Sequence, residues 1–379
     1  MRITDVTAYP ISVPIPPERS NRVGIGRMVK RDAVIVKVTT DGGIVGYGES
    51  HHARNPGAVA NLVNTTMRDL VVGMDATDTV SVWSKVYRAQ IGSHGMGAGS
   101  VIALSGVDMA LWDARGKAVG WPLYKLLGGS ARSIPAYAGG GGSLGFNTPE
   151  ATVDEVGGFV AMGYRAVKIR LGQGRREDIS RLEAVRKAFA DLAILTDANT
   201  AYSLDDARHV MPALEALDVA WLEEPFPQHD MRAYKIASGF SKTPLALGEN
   251  TYTRFEFVPH VEAGHVQILQ PDVGKCGGVT EIMRIAALAA AYKIPIHPHG
   301  GVTGLDLVAG IHVLSAIENG GYFESSEGYN PLRNGPFVGD AYSIGTDGCV
   351  RAPDKPGIGL EIDEDFIKRH PVVEGPGFV

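Results

Sequence analysis

Seven polar residues interrupt otherwise apolar segments at nearly regular spacing: Lys168, Asp197, Glu223, Glu249, Asp272, His299 and Glu324. The closest neighbours are 249 and 272, the widest 168 and 197. Each ends a short apolar stretch, as in AVKIR, LTDAN, WLEEP, LGEN, ILQPD, IPIHPH and YFESS. Any one carboxylate in such a place can simply cap the next helix. Three in succession are different, because acids crowded on one rim repel one another and a hard cation relieves that repulsion. Asp197, a Glu of the 223–224 pair and Glu249 supply oxygen donors with no adjacent Cys or His, which favours Mg²⁺ over zinc. Spacing alone does not choose between Glu223 and Glu224. A histidine beside such a centre suits proton abstraction, and Asp272 on the preceding stretch can fix its tautomer. His297 and His299 compete for that role.

The elements that must position these groups follow from their spacing. One strand-plus-helix unit of a (β/α)-barrel takes about 30 residues, about 250 being shared among eight. From Ile134 onward, eight apolar stretches alternate with helix-period segments such as EDISRLEAVRKAF and GVTEIMRIAALAAAYK. The strand ends then converge on the rim where barrel enzymes keep their active sites. Before residue 130 the pattern is different. Residues 2–13 and 31–49 alternate as antiparallel strands with a hairpin at Asp41-Gly42-Gly43, and helices are expected near 57–72, 77–92 and 98–119. The expected architecture is α/β: an N-terminal α+β capping domain over 1–130, a modified TIM-like (β/α)-barrel over 131–327, and a C-terminal segment over 328–379 returning to the cap.

Composition narrows the partners. The 379 residues carry a net charge of −6, with 44% hydrophobic and 21% charged residues, as in a soluble globular enzyme rather than a disordered chain. No basic cluster suggests nucleic acid, and no apolar run approaches the roughly 20 residues that span a bilayer. The start, MRITDVTAYPISVPIP, has no signal-peptide core, so a cytoplasmic location is expected. Cys276 and Cys349 are far apart and read as free thiols.

The segments SGVDMALWDARGKAVGWPLYKLLGG, AVKIR, LTDAN, WLEEP, LGEN, QPDVGKCGGVT, HPH and PGIGLEID, in this order, resemble the enolase superfamily and its mandelate racemase / muconate lactonizing enzyme-like members, in particular the mandelate racemase subgroup. The resemblance implies one Mg²⁺ per subunit, held by Asp197, Glu223 and Glu249, and thereby selects Glu223 over Glu224. It also implies an Asp272–His299 dyad, selecting His299 over His297, and a Glu324 that shares a hydrogen bond with a developing enediolate oxygen. Substrate contacts are implied for cap loops in the 15–30 region and around Ser50–Arg54, and the assembly for a homo-oligomer.

One position departs from the pattern. Many relatives carry Lys-x-Lys after the second barrel strand, where this chain has Lys168-Ile169-Arg170. Arginine stays protonated, so Arg170 is expected to clamp a substrate carboxylate rather than accept a proton. Lys168 is then either a base on that face or an electrostatic stabiliser and substrate contact. With His299 as the sole base, the expected reaction is Mg²⁺-dependent removal of the proton α to a carboxylate, followed by loss of water from a sugar acid to give a 2-keto-3-deoxy acid. This makes the chain a carbon–oxygen lyase. The alternative is a racemase, epimerase or cycloisomerase using the same enediolate. His297-Pro298-His299 also mimics the HxH of metal-dependent hydrolases, but it follows the seventh strand rather than the first. Lys275 lies close to the site with no role assigned.

Overall fold

The computed structural model describes residues 1–140 and 142–379. Three antiparallel strands open the chain: β1 (Ile3–Pro14), β2 (Lys30–Thr40) and β3 (Val45–Ser50), with β2 between the others. Their alternating apolar face (Val6, Ala8, Val34, Val36, Val38) packs on helices that include Trp83 and on the long α1 (Ala98–Val119). Fifteen of the 22 residues of α1 are buried, so its surface is apolar nearly all round, as its sequence suggests. It reaches β3 through glycines. A Cβ at Gly48 would lie 2.2 Å from the Gly106 carbonyl oxygen, and one at Gly46 would lie 2.0 Å from that of Ala110.

The remainder is a ring of parallel strands with helices outside. Strands β4 (Ile134–Gly140), β5 (Ala166–Arg170), β6 (Ala193–Asp197), β7 (Val219–Glu223), β8 (Leu245–Leu247) and β9 (Ile268–Leu269) pair in chain order, and β10 (Phe323–Ser326) returns to β4. The helices α2 (Pro149–Ala161), α3 (Arg175–Ala188), α4 (Leu204–Ala216), α5 (Met231–Ala237) and α6 (Thr253–Ala263) alternate with β4 to β9. Next come α7 (Gly278–Ala291) and α8 (Gly304–Leu314).

The expected seventh strand, IPIHPH, shrinks to a bridge at Ile296, which joins Leu269 on one side and Gly320 on the other. Pro295 and Pro298 have no N–H to give, so only Ile296 and His297 between them donate, to Asn319 at 2.8 Å and Leu269 at 3.0 Å. The ring still closes.

Buried side chains lock the cap onto the barrel near β9 and α7. Asp108 of α1 accepts the Thr280 N–H at 2.8 Å and its hydroxyl at 2.6 Å, and the Trp83 indole donates to the Gly277 carbonyl at 3.0 Å. Asp113 accepts from the amides of Tyr47 and Ile358. The chain after β10 then crosses the cap, bridging Ile11 through Pro371 and Met28 through Phe378. Cys276 and Cys349 are free thiols, and among the described residues no helix is long and apolar enough to cross a membrane.

The β3–α1 contact leaves no room for a side chain at Gly46 or Gly48. Gly48→Ala should destabilise the protein by about 1–3 kcal/mol through overpacking. A lowered urea midpoint with an unchanged slope would show this.

Candidate active site

The barrel interior is layered. Tyr137, Ala166, Leu195, Trp221, Ala246 and Ile268 form one buried apolar cluster, the floor. Because side chains alternate along a strand, the residues two places further on face the same interior. These are Gly139, Lys168, Asp197, Glu223, Gly248 and Gln270. Glu324 enters the ring from β10, where its neighbour Phe323 packs outward. The two glycines supply room. A Cβ at Gly139 would lie 2.4 Å from that of Lys168, and one at Gly248 would lie 2.5 Å from the Gln270 backbone.

Lys168 is the hub of this layer. Its fully buried Nζ lies 3.0 Å from both Glu223 oxygens, 2.7 Å from Glu324 and 3.7 Å from Asp197, above the Tyr137 ring. Burial alone would push its proton off. The carboxylates of Glu223 and Glu324 outweigh that and hold it above the usual lysine range. Arg170 pairs through Nη1 with Asp197 and donates through Nη2 to the Gly139 carbonyl at 2.7 Å. Asp197 also accepts from the Asn199 amide at 2.7 Å, and Glu223 from Gln270 Nε2 at 2.6 Å. Gln270 was legible only as part of QPD; its signal is the inward phase it shares with Ile268.

Glu324 is fully buried within this layer. Burial raises its pKa, but Lys168, His299 and Arg170 bring it down to about 2, so it is a carboxylate. Glu223 is pushed up, to about 7, through burial and the charges of Asp197, Glu324 and Glu249 working against Lys168. Glu224 turns away from the ring and accepts from Asn250 at 2.7 Å.

His299 and Asp272 meet as a dyad, Nδ1 to Oδ2 at 2.7 Å, and Nε2 faces Glu249 at 2.7 Å. Burial disfavours the imidazolium, but Glu249, Glu324 and Asp272 hold its pKa well above the ordinary histidine value. His297 lies in the floor. It is 4.9 Å from the Trp221 ring centroid, and its Nδ1 accepts the Tyr322 N–H at 2.7 Å. Behind the dyad, Asp306 accepts from the amides of Gly274 and Gly301 and so spans the loops that carry Asp272 and His299. Glu49 of the cap accepts from Thr303 in the same place. Neither acid stands out in the sequence, since nothing local marks β3 or the start of α8 as adjoining the dyad.

A cavity of about 500 Å³ opens above the layer. Arg170, Glu249, Lys275 and His299 line it from the barrel; Met28, His51 and His52 line it from the cap stretches where substrate contacts were expected. Asp197, Glu223 and Glu249 stand at the ends of the neighbouring strands β6, β7 and β8, and Asp197 and Glu223 are register partners. Their donor set is all carboxylate oxygen, and their mutual repulsion is visible in the raised pKa of Glu223, so their chemistry fits a hard divalent cation. As placed, each carboxylate is turned to a protein cation, and among the described residues no three are gathered at ligating distance.

Lys168→Met would leave Glu223 and Glu324 buried without their ammonium. In chelator it should lower stability by about 3 kcal/mol, and added Mg²⁺ should restore more stability to this variant than to the parent. Thermal melts with and without Mg²⁺ measure both effects.

Two family patterns together cover most of the chain. The Mandelate racemase / muconate lactonizing enzyme N-terminal domain matches residues 6–128, and the Enolase C-terminal domain-like pattern matches residues 151–366. The arabinonate dehydratase of Saccharolobus solfataricus is 33% identical over 344 residues, covering 89% of this chain and 90% of that protein. A member of the enolase superfamily from Polaromonas sp. JS666 superposes with a TM-score of 0.97 at 49% identity, covering 100% of both chains. A racemase from Streptomyces coelicolor A3(2), solved with bound magnesium, superposes with a TM-score of 0.88 at 29% identity, covering 98% of this chain and 100% of that one. With both of its patterns matched and its whole length superposed, this chain belongs to the enolase superfamily.

Proposed function

We propose that the protein dehydrates a sugar acid: it removes the proton α to the carboxylate and expels the β-hydroxyl as water. The observation that carries this reading is the single dyad. Among the described residues His299, with Asp272 at 2.7 Å, is the one imidazole paired with carboxylates at the mouth, and the facing groups, Lys168 and Arg170, are both held protonated by the acids around them. One base and one face suit elimination, whereas racemisation needs proton transfer at both faces. The dehydratase relative supports the choice. The racemase neighbour keeps an isomerase as the second reading, since both reactions begin with the same step.

An α-proton beside a carboxylate is weakly acidic because its removal concentrates negative charge. A Mg²⁺ ion held by Asp197, Glu223 and Glu249 would supply positive charge at the substrate carboxylate. Lys168 adds its ammonium, and Arg170 holds Asp197 in place. A Glu249 that spends its oxygens on a cation leaves His299 Nε2 open to take the α-proton. The electrons of the broken C–H bond then form the enediolate. Its collapse forms a C=C bond, breaks the β-C–O bond, and returns the proton from His299 to the departing hydroxyl as water. The enol tautomerises to the 2-keto-3-deoxy acid. Glu324, ionised and 2.7 Å from Lys168, positions that ammonium.

The test is incubation with a panel of sugar acids and Mg²⁺ in D₂O, following keto-acid release and α-deuterium incorporation. Keto acid is expected. Exchange without keto acid, or full activity in strong chelator, overturns the reading. His299→Asn should lower kcat by at least about a thousandfold while Mg²⁺-dependent thermal stabilisation is retained. Loss of that stabilisation would instead make His299 part of the metal site.

A further inference from the structure

Among the described residues five Lys or Arg side chains are buried: Lys30, Lys168, Arg170, Arg181 and Lys275. Four of them face a carboxylate, through the pairs Lys30–Asp32, Lys168–Glu324, Arg170–Asp197 and Arg181–Asp178. Lys275 is the exception. Its Nζ reaches the neutral amide oxygen of Asn250 at 3.2 Å and makes no ion pair among the described residues, yet it lines the cavity. Burial would push its proton off, but Glu249, Asp272 and Glu224 hold its pKa above the usual lysine range without touching it, so the ammonium stays charged and keeps N–H donors for a ligand in the cavity.

The cap completes the pocket around it. The His51 amide donates to the Gly274 carbonyl at 3.0 Å, docking the 51–54 loop on the backbone beside Lys275. His51 Nδ1 accepts the Ala53 N–H at 3.0 Å, and His52 Nδ1 accepts the Arg54 N–H at 2.9 Å. With Nδ1 as acceptor, each ring proton sits on Nε2, the nitrogen left for a ligand. The rings stack at 4.1 Å, and Ala53 and Arg54 adopt left-handed φ values of 45° and 58°, a strained backbone that the docking maintains. Burial and the nearby Lys275 and Arg31 push His52 down to about 3, so it is a neutral donor at pH 7.

Lys275 follows β9, and Lys168 and Arg170 end β5. Four steps around an eight-membered ring put them on opposite walls. Resting on the proposed reaction, whose reacting carboxylate lies on the Asp197–Arg170 side, we propose that Lys275, with His51 and His52, forms a second anion subsite, and that the substrate is a sugar diacid. A cavity of about 500 Å³ accommodates a six-carbon diacid.

The experiment compares stereochemically matched hexaric and hexonic acids on the Mg²⁺-loaded enzyme, for the parent, Lys275→Met and His52→Phe. The parent should favour a hexaric acid, and Lys275→Met should reduce the hexaric-to-hexonic ratio of kcat/KM about a hundredfold, mainly through KM. His52→Phe should reduce the same ratio to a lesser degree. Retained kcat/KM of Lys275→Met on the hexonic acid separates misfolding from lost recognition. A parent that favours hexonic acids, or equal losses on both substrates, overturns the diacid subsite. If neither acid exchanges its α-proton, the proposed reaction fails. The subsite is then judged by thermal shift alone: hexaric acid must stabilise the parent more than hexonic acid does, and Lys275→Met must abolish the difference.

Discussion

Five carboxylates, from Asp197, Glu223, Glu249, Asp272 and Glu324, end strands or strand-like segments around one narrow mouth, and the protein must keep them together. The buried ammonium of Lys168 is the main protein contribution to that balance. It touches two of them within 3.0 Å and a third at 3.7 Å, with no solvent contact of its own. Its position depends on Gly139, whose missing side chain leaves the space that the lysine stem fills. Beneath it, the Tyr137–Trp221 floor excludes water, which strengthens every charge interaction above. Glu223 shows how close the balance runs, since even with Lys168 at 3.0 Å its proton affinity rises to about 7. A mouth built this way has carboxylate oxygens to offer a divalent cation and already holds cations poised to yield them.

The same accounting of charge explains why the cap is fixed so firmly. Its buried acids Asp108 and Glu49 are spent on backbone amides and hydroxyls of the barrel, and Asp113 accepts from the Ile358 amide of the C-terminal segment while pairing with Lys117. Such bonds are directional, so they set the register of β3 against the loops after β9 and Ile296. Glu49 and His51 reach those loops two residues apart on the chain, at Thr303 and Gly274. The loop that walls the cavity is therefore tied by hydrogen bonds to the loops that carry the dyad.

Much of this was legible in the sequence because barrel strands place chemistry at regular intervals. Acids that end apolar stretches identify both the strands and the rim, and the Asp272–His299 pairing follows from adjacency of their segments. Other features were illegible for definite reasons. IPIHPH reads as a strand by its apolar content, but two prolines starve its ladder of donors. His297 and His299 are equivalent by spacing, and only the packing of Trp221 and Tyr322 shows that His297 belongs to the floor. The ionisation of Glu324 turns on a lysine 156 positions away in the chain (168 to 324), which no local pattern reveals. That Lys275 contacts the Asn250 amide and no carboxylate directly is likewise a property of what approaches it in space.

The substitution at position 170 draws these threads together. A lysine there would sit on the inward phase of β5 with a proton it can lose, on the wall facing His299. Arginine cannot lose its proton near neutral pH, and its planar head joins Asp197 to the Gly139 carbonyl in one rigid unit. The neighbouring Lys168 is meanwhile held charged by Glu223 and Glu324. Among the described residues, that wall of the barrel therefore has two fixed positive charges and no proton acceptor other than carboxylates already engaged. In the proposed reaction, proton transfer is confined to the wall that carries His299, and the facing wall is left to bind and polarise.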